Sequence, residues 1–402
     1  VGTVDGITPT NLLSDPFPTG LVAPPGKSQG GSTEVGLSPN GIGQFRPTPY
    51  VVQWTFGLQY ALTPNDRISA SYLGNHGVKQ TWASPQINSN QLSPAYYSLG
   101  NDLLQQVANP FYPYITDSSC GLNNPTVQEG QLLRPYPEYC YVGNVQAPLA
   151  SSWYDALTLN YRHRWSNGLE FLASYTWSKY LDTNAGNEGW ATGGTSGAQN
   201  YYNLYNEKSV DGNDVPHSLV LSYIYQLPFG RGERFGSNAS APVNALLGGW
   251  QFSGITTFKS GIPIAFAAPG FSFGEGQRPN VVCNPSLPHP SLNEWFNTSC
   301  FAKPAPYTFG DASRFLPNPR APGYNNWDLA MMKWFTLPKI KSDTLRMQFR
   351  AEFFNAFNHE NFFRPRPANG SVCRQTPVLG AWQIEGPVSY YVSVKQITLT
   401  AI

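Results

Sequence analysis

Hydrophobic and polar residues alternate along several stretches of this chain with a period of two, the mark of strands with one apolar and one polar face. Over 345–353 the alternation is unbroken: Leu345, Met347, Phe349, Ala351 and Phe353 share one face, and Arg346, Gln348, Arg350 and Glu352 the other. So much charge on one face is too much for a core. Upstream, Val52, Trp54, Phe56, Leu58, Tyr60 and Leu62 alternate with Gln53, Thr55, Gly57 and Gln59. The turn Thr63-Pro64-Asn65-Asp66 then leads to Ile68, Ala70 and Tyr72, which alternate with Arg67, Ser69 and Ser71, so this is a hairpin. A second hairpin sets Trp153, Leu157, Leu159, Tyr161 and Trp165 against Thr158, Asn160, Arg162 and Arg164. It turns at Ser166-Asn167-Gly168 and returns with Leu169, Phe171, Ala173, Tyr175 and Trp177 against Glu170, Ser174, Thr176 and Ser178. Further alternations cover 219–227, 250–258 with Lys259 on the polar side, a strand opening at Trp327, the stretch 345–356, and a last strand over 388–402.

The connections alternate in length. Those after Tyr72, near Asp182, after Lys259 and after residue 356 are long and irregular, with Gly74-Asn75-His76-Gly77 opening the first. Those between hairpin partners are short, 228–249 being intermediate and 338–343 a short turn. All long loops therefore fall at one end of a meander and all short turns at the other, the arrangement of an outer-membrane barrel with external loops and periplasmic turns. Residues 1–48 carry Gly/Pro punctuation without a period and are expected to be an extracellular loop or irregular segment, with 49–402 forming the barrel part. About nine strands result, an odd number, whereas single-chain bacterial barrels use even counts. The expected fold is all-β: an antiparallel transmembrane barrel, present as the C-terminal part of a larger one.

Composition agrees. Charged residues make up 12% and aromatics 14%, with 38 glycines and 36 prolines, yet mean hydropathy is negative. Soluble domains carry roughly 25% charge; a lipid-facing aromatic surface, a polar lumen and long loops give the pattern seen here. A formal charge of +1 argues against nucleic acid as a partner. No apolar run approaches the roughly 18–20 residues of a membrane helix, and the first residues show no signal-peptide pattern. Five cysteines lie at 120, 140, 283, 300 and 373. Their spacing suits loop disulfides Cys120–Cys140 and Cys283–Cys300, leaving Cys373 over, and implies an oxidising compartment.

No catalytic constellation is apparent. The histidines at 76, 163, 217, 289 and 359 lack metal-ligand spacing, so no metal or cofactor is expected. Gly270-Phe271-Ser272-Phe273-Gly274 fits a nucleophile-elbow pattern, but it sits in a Gly/Pro-rich loop without the flanking strand and helix. The candidates for chemistry are the polar-face residues Arg162, Arg164, Glu170, Lys259, Arg346, Gln348, Arg350 and Glu352, which would line a lumen. They could form a solute path, or serve as cross-strand ion pairs or contacts to a plug, the plainer account. Aromatic loop residues (Phe111, Tyr112, Tyr114, Tyr136, Tyr139, Tyr201, Tyr202 and Tyr205) either stack on a ligand or pin the loops together.

Four stretches carry a resemblance: 153–182 (WYDALTLNYRHRWSNGLEFLASYTWSKYLD), 214–232 (DVPHSLVLSYIYQLPFGRG), 246–263 (LLGGWQFSGITTFKSGIP) and 325–362 (NNWDLAMMKWFTLPKIKSDTLRMQFRAEFFNAFNHENF). In this order they resemble the C-terminal barrel half of TonB-dependent outer-membrane receptors, of the Oar-like, carboxypeptidase-regulatory-domain-bearing kind found in Acidobacteria. The resemblance spans roughly 50–365. It implies a 22-stranded barrel in the outer membrane of a Gram-negative bacterium, filled by an N-terminal plug and driven through a TonB box. Partners would be outer-membrane lipid, the plug, TonB and an extracellular solute. Members usually end in an aromatic residue, whereas this chain ends Leu399-Thr400-Ala401-Ile402. The expected function is energised uptake of a large solute; the alternative is a surface-exposed or secreted β-rich binding or adhesion protein without a channel.

Overall fold

The computed structural model describes residues 30–82, 87–166, 168–183, 198–271, 273–291, 294–336, 346–362 and 395–401, with a few isolated positions before residue 30. Its centre is one antiparallel sheet built from nine long strands in chain order: β1 (Tyr50–Ala61), β2 (Asp66–Gln80), β3 (Ala150–Ser166), β4 (Leu169–Asp182), β5 (His217–Gln226), β6 (Trp250–Lys259), β7 (Tyr324–Thr336), β8 (Arg346–Phe353) and β9 (Lys395–Ala401). Each pairs with the next, and the two-residue strand Ser209–Val210 adds to the outer end of β4. A meander of sequential neighbours needs only local connections, and the period-two stretches occupy it as expected. No described helix is long and apolar enough to cross a membrane.

Turn chemistry sets the inner end. The Thr63 hydroxyl accepts the N–H groups of Asn65 and Asp66, which closes the β1–β2 turn. At the β3–β4 turn Gly168 takes a φ of 78°, a conformation open to glycine at little cost. The β5–β6 connection contains a short helix, α1 (Ala241–Leu247), where the sequence suggested only a connector. The expected turn at 338–343, Asn167, Leu345, Ser272, Cys373 and the stretch 388–394 lie outside the described residues.

Two strand ends differ from expectation. β2 does not stop at Gly74–Gly77 but runs on to Gln80, because the indole of Trp54 on β1 lies where a Cβ of residue 74 would be. Glycine there admits a cross-strand aromatic and does not break the strand. β8 ends at Phe353, short of the expected 356. Asn355, at a φ of 45°, turns the chain, held by the Asp328 carboxylate on its N–H and by reciprocal bonds to His359.

The core is not in the sheet. Among the described residues, the buried hydrophobic side chains of the nine strands are three alanines, Ala150, Ala156 and Ala351, and β1 is exposed along its whole length. Burial is concentrated in the long connections 81–149, 183–216 and 260–323 at the opposite end from the turns. There Trp82, Ile87 and Ala147 lie against Ala198, Tyr201 and Leu204. Leu92, Tyr97 and Leu103 meet Phe271, Phe273, Tyr307 and Phe309, and Phe266 stacks on Phe301 while Phe296 lies edge-on against both. The loops expected to be irregular thus form an ordered outer layer with its own core. Residues 36–41 join it: Gly36 N–H donates to Glu138 O, Cys140 N–H to Leu37 O, and Asn40–Gly41 pair with Gly143–Asn144.

Candidate functional site

The register divides the sheet into two chemically different faces. One row shows the rule: Ile68, Tyr161, Ala173, Leu221, Thr256 and Trp327 are successive cross-strand partners, and cross-strand partners share a face. Following every strand from this row gives one face of Val52, Trp54, Phe56, Leu58 and Tyr60, then Leu157 and Leu159, Phe171 and Tyr175, Leu219 and Tyr223, Phe252 and Phe258, and Leu329 and Met331. On β3 this apolar run is bounded outward by Asp155, bonded to the Tyr72 hydroxyl, and inward by His163, bonded to Asp66. Between Leu58, Tyr60, Ala70, Leu159, Ala173 and Tyr175 it holds an open hollow of about 660 Å³.

The opposite face carries Gln53, Thr55, Ser69, Thr158, Asn160, Ser174, Thr176, Ser222, Ser253 and Thr257. Arg162, Glu170, Lys259, Gln348, Arg350 and Glu352 all fall on it. Arg162 meets Glu170 at 3.4 Å, and Arg350 bonds Glu352 on the same strand. Both pairs are largely exposed, so each contributes about 0–1 kcal/mol. Gln348 contacts the Met332 sulfur at 3.9 Å. Arg346 holds the matching register position, its side chain lying outside the described residues. Arg164 lies where the β3–β4 pairing shifts, beyond His163, as does Trp165, and neither takes a regular place in the alternation. Apolar residues interrupt this face, among them Leu73, Leu172, Val220, Ile224, Ile255, Met332 and Trp334.

Above the sheet the outer layer is tied together by buried charge. Arg278 donates two hydrogen bonds to Glu207, at 2.6 and 3.0 Å, with both side chains almost inaccessible. Arg314 pairs with Asp182 at the end of β4. Arg320 reaches Asp214 at 2.6 Å and the carbonyls of Asp214 and Gly261. All three pairs join connection 260–323 to the stretch 182–214. Asn88 to Gln91 link the first connection to the other two: Asn88 donates to Glu275, and the Gln91 side chain accepts from Tyr201 N–H. Burial pushes the Glu275 carboxyl above its usual range against the pull of the Asn88 amide, and burial lowers the Arg134 guanidinium nearby. Burial also moves the Tyr141 hydroxyl up to about 12.

Two disulfides pin this layer, Cys120–Cys140 and Cys283–Cys300. Beside the first lies a cavity of about 290 Å³ lined by Asn124, Gln128, Gln131, Arg134 and Phe273. Its polar side chains are amides, the Thr126 hydroxyl and one guanidinium, suited to hydrogen-bonding solutes. The loop aromatics divide: Phe111 and Tyr201 sit against the loop cores, whereas Tyr114 and Tyr205 are 86% and 77% exposed.

A sheet with no core between its faces, one face apolar and one polar, fits a membrane on one side and water on the other. The family profile described as outer membrane beta barrel domain matches residues 1–381. This chain belongs to the outer membrane beta barrel domain family. Its location is the outer membrane. Among solved structures, the outer membrane transporter YddB from Escherichia coli is similar over 81% of this chain and 31% of its own length, at 8% identity and a TM-score of 0.37. This barrel domain therefore spans less than a third of that chain. No curated protein sequence matches.

Sequence reasoning missed the residues that organise the outer layer of this outer membrane beta barrel domain. Glu207, Asp182, Asp214 and their arginines lie far apart in the chain, and no local spacing announces such pairs. The one available signal was that charges are scarce, so those kept inside long loops are candidates for pairing. Lys333 was missed as well: it lies on the apolar face, 3% exposed.

Proposed function

We propose that the intact protein is a TonB-dependent receptor of the Oar-like kind, taking up a large solute across the outer membrane with energy from the inner membrane. The division of the sheet into two faces carries this reading. In it the apolar face meets lipid and the polar face lines the lumen, where Arg162, Glu170, Lys259, Arg346, Gln348, Arg350 and Glu352 stand along the solute path or against a plug, with Arg164 at the inner rim beside the β3–β4 turn. The apolar interruptions, Leu172, Ile224 and Ile255 among them, support a plug, since apolar side chains in a lumen gain from a protein surface laid over them. The outer layer, with its amide-lined cavity and exposed Tyr114 and Tyr205, would receive the solute, aromatic faces and amides being suited to sugar-like or other polar ring compounds.

The test is uptake in cells producing the intact protein, measured over siderophore-, vitamin- and oligosaccharide-sized solutes. Accumulation of the solute should collapse when a protonophore dissipates the inner-membrane gradient or when TonB is depleted. Accumulation that persists under both treatments would overturn the energised mechanism and leave a passive pore.

A further inference from the structure

α1 is inverted relative to a helix of a soluble protein. Its sequence, Ala241-Pro242-Val243-Asn244-Ala245-Leu246-Leu247, has one polar residue, and that residue faces the protein: the Asn244 side-chain oxygen accepts the Arg231 N–H at 2.7 Å. The apolar side chains point away, with Val243, Leu246 and Leu247 46%, 71% and 54% exposed and no residue of the helix buried. In water this arrangement forfeits the usual gain from burying aliphatic surface, about 25 cal/mol per Å².

The helix is held against the apolar face of the sheet. The Trp250 indole N–H donates to Leu246 O at 2.8 Å, and the Lys333 ammonium donates to Ala245 O at 2.6 Å and Leu246 O at 3.2 Å. Trp250 and Lys333 are cross-strand partners on the apolar face, in one row with Phe349. The Lys333 ammonium also lies over the rings of Trp250 and Phe335. A lysine on a lipid-facing surface is costly; here the ammonium donates to two carbonyls of the last turn, at the negative dipole end of a helix. This fixes α1 beside the sheet, and its exposed leucines extend the apolar face beyond the last row of the strands. The same connection exposes Phe229 and Phe235, which touch each other, and places the exposed Arg231 and Arg234 between them.

We propose that α1 and the turn before it form an interfacial anchor seated in the phospholipid leaflet at the inner end of the sheet. Val243, Leu246 and Leu247 enter the acyl boundary, and Arg231 and Arg234 meet lipid phosphates. Aliphatic and aromatic groups interleaved with arginine are the composition that binds this zone. Lys333 is the positioning residue, turning a cation on the apolar face into the clamp that lays the helix in the interface. The anchor rests on the reading that the apolar face meets lipid.

The test uses the full-length protein in vesicles of phosphatidylethanolamine and phosphatidylglycerol, carrying Cys373→Ser and one introduced cysteine labelled with a small fluorophore. Leu246→Cys reports on the anchor, Leu159→Cys on the sheet face and Tyr205→Cys on the outer layer. Quenchers are a lipid bearing a nitroxide near the headgroup, a lipid bearing one deep in the chain, and iodide on both sides of the bilayer. The Leu246 label is expected to lose roughly half its emission to the shallow nitroxide and little to iodide, the depth of an interfacial helix. The Leu159 label should respond to the deep nitroxide, and the Tyr205 label to iodide alone. If the Leu159 label is quenched by lipid and the Leu246 label only by iodide, the anchor is wrong and the two-faced sheet stands. If the Leu159 label is not reached by either lipid quencher, the lipid-facing reading falls and takes the anchor with it.

Discussion

The sheet and the outer layer are built on opposite principles. The sheet has alternating faces, side chains exposed on both and three buried alanines, so among its described residues it depends on backbone pairing and on the solvents at its two surfaces. The outer layer has aromatic clusters, two disulfides and buried ion pairs, the devices of a small secreted domain. Position in the membrane explains the contrast. A strand in lipid gains nothing by hiding leucine, whereas a long loop in water must bury its own apolar groups to stay ordered.

Breaking the ion pair that ties the outer connections together should give the largest separation between the two regions. Glu207→Ala leaves Arg278 buried and unpaired, a cost of about 3–5 kcal/mol. Protease added to intact cells should then cut within 183–216 and 260–323, while the heat-modifiable gel migration of the sheet persists. Loss of both together would show that the sheet depends on the outer layer. Replacing Cys120 and Cys140 by serine removes a crosslink spanning 20 residues and should cost about 3 kcal/mol. Faster hydrogen exchange should be confined to 81–149 and the stretch 36–41.

Within the sheet, the comparison is between neighbours. Leu159→Arg, near the middle of β3 on the apolar face, should cost about 2–4 kcal/mol in urea titrations of the vesicle-inserted protein. Asn160→Arg, one residue on and on the polar face, should cost within about 0.5 kcal/mol of nothing. Equal costs at the two positions would contradict the division into faces. Phe349, on the same face but at the inner margin, sits edge-on against Trp250 and opposite Lys333, so Phe349→Arg should cost about 1–3 kcal/mol, mostly from the lost ring contact and the second cation beside Lys333.

The smallest effect concerns pH. Burial raises the Glu275 carboxyl, so the folded outer layer favours its protonated form. That contribution is complete below the ordinary carboxylate range and is lost as pH rises through the raised value. Glu275→Gln should therefore unfold at a higher temperature than wild type near neutral pH, and the two should converge below about pH 4. A difference that grows on acidification would assign the opposite sign to this group.

Much of the sheet was legible because its code is local. Leu157, Leu159 and Tyr161 against Thr158, Asn160 and Arg162 state the strand and its faces within six residues, and Arg350 and Glu352 declare the polar side of β8 in the same way. The errors lay where a cross-strand neighbour overrode the local signal: Gly74 resembled a terminator until Trp54 was found over it, and the alternation past Phe353 yielded to the Asn355 turn. The loops were the least legible. Their cysteine pairs followed from spacing, but nothing near Glu207 points to Arg278, nor anything near Asp182 to Arg314.

By itself the sequence determined the period-two strands, their two faces and the order of short and long connections, because each rests on residues a few positions apart. Tertiary structure alone decided that the long loops fold into one layer, that charges 71 or more residues apart meet inside it, and that a helix in an inner turn presents its leucines outward. These depend on groups brought together from distant parts of the chain, and on which solvent each surface meets, neither of which is written in a local pattern.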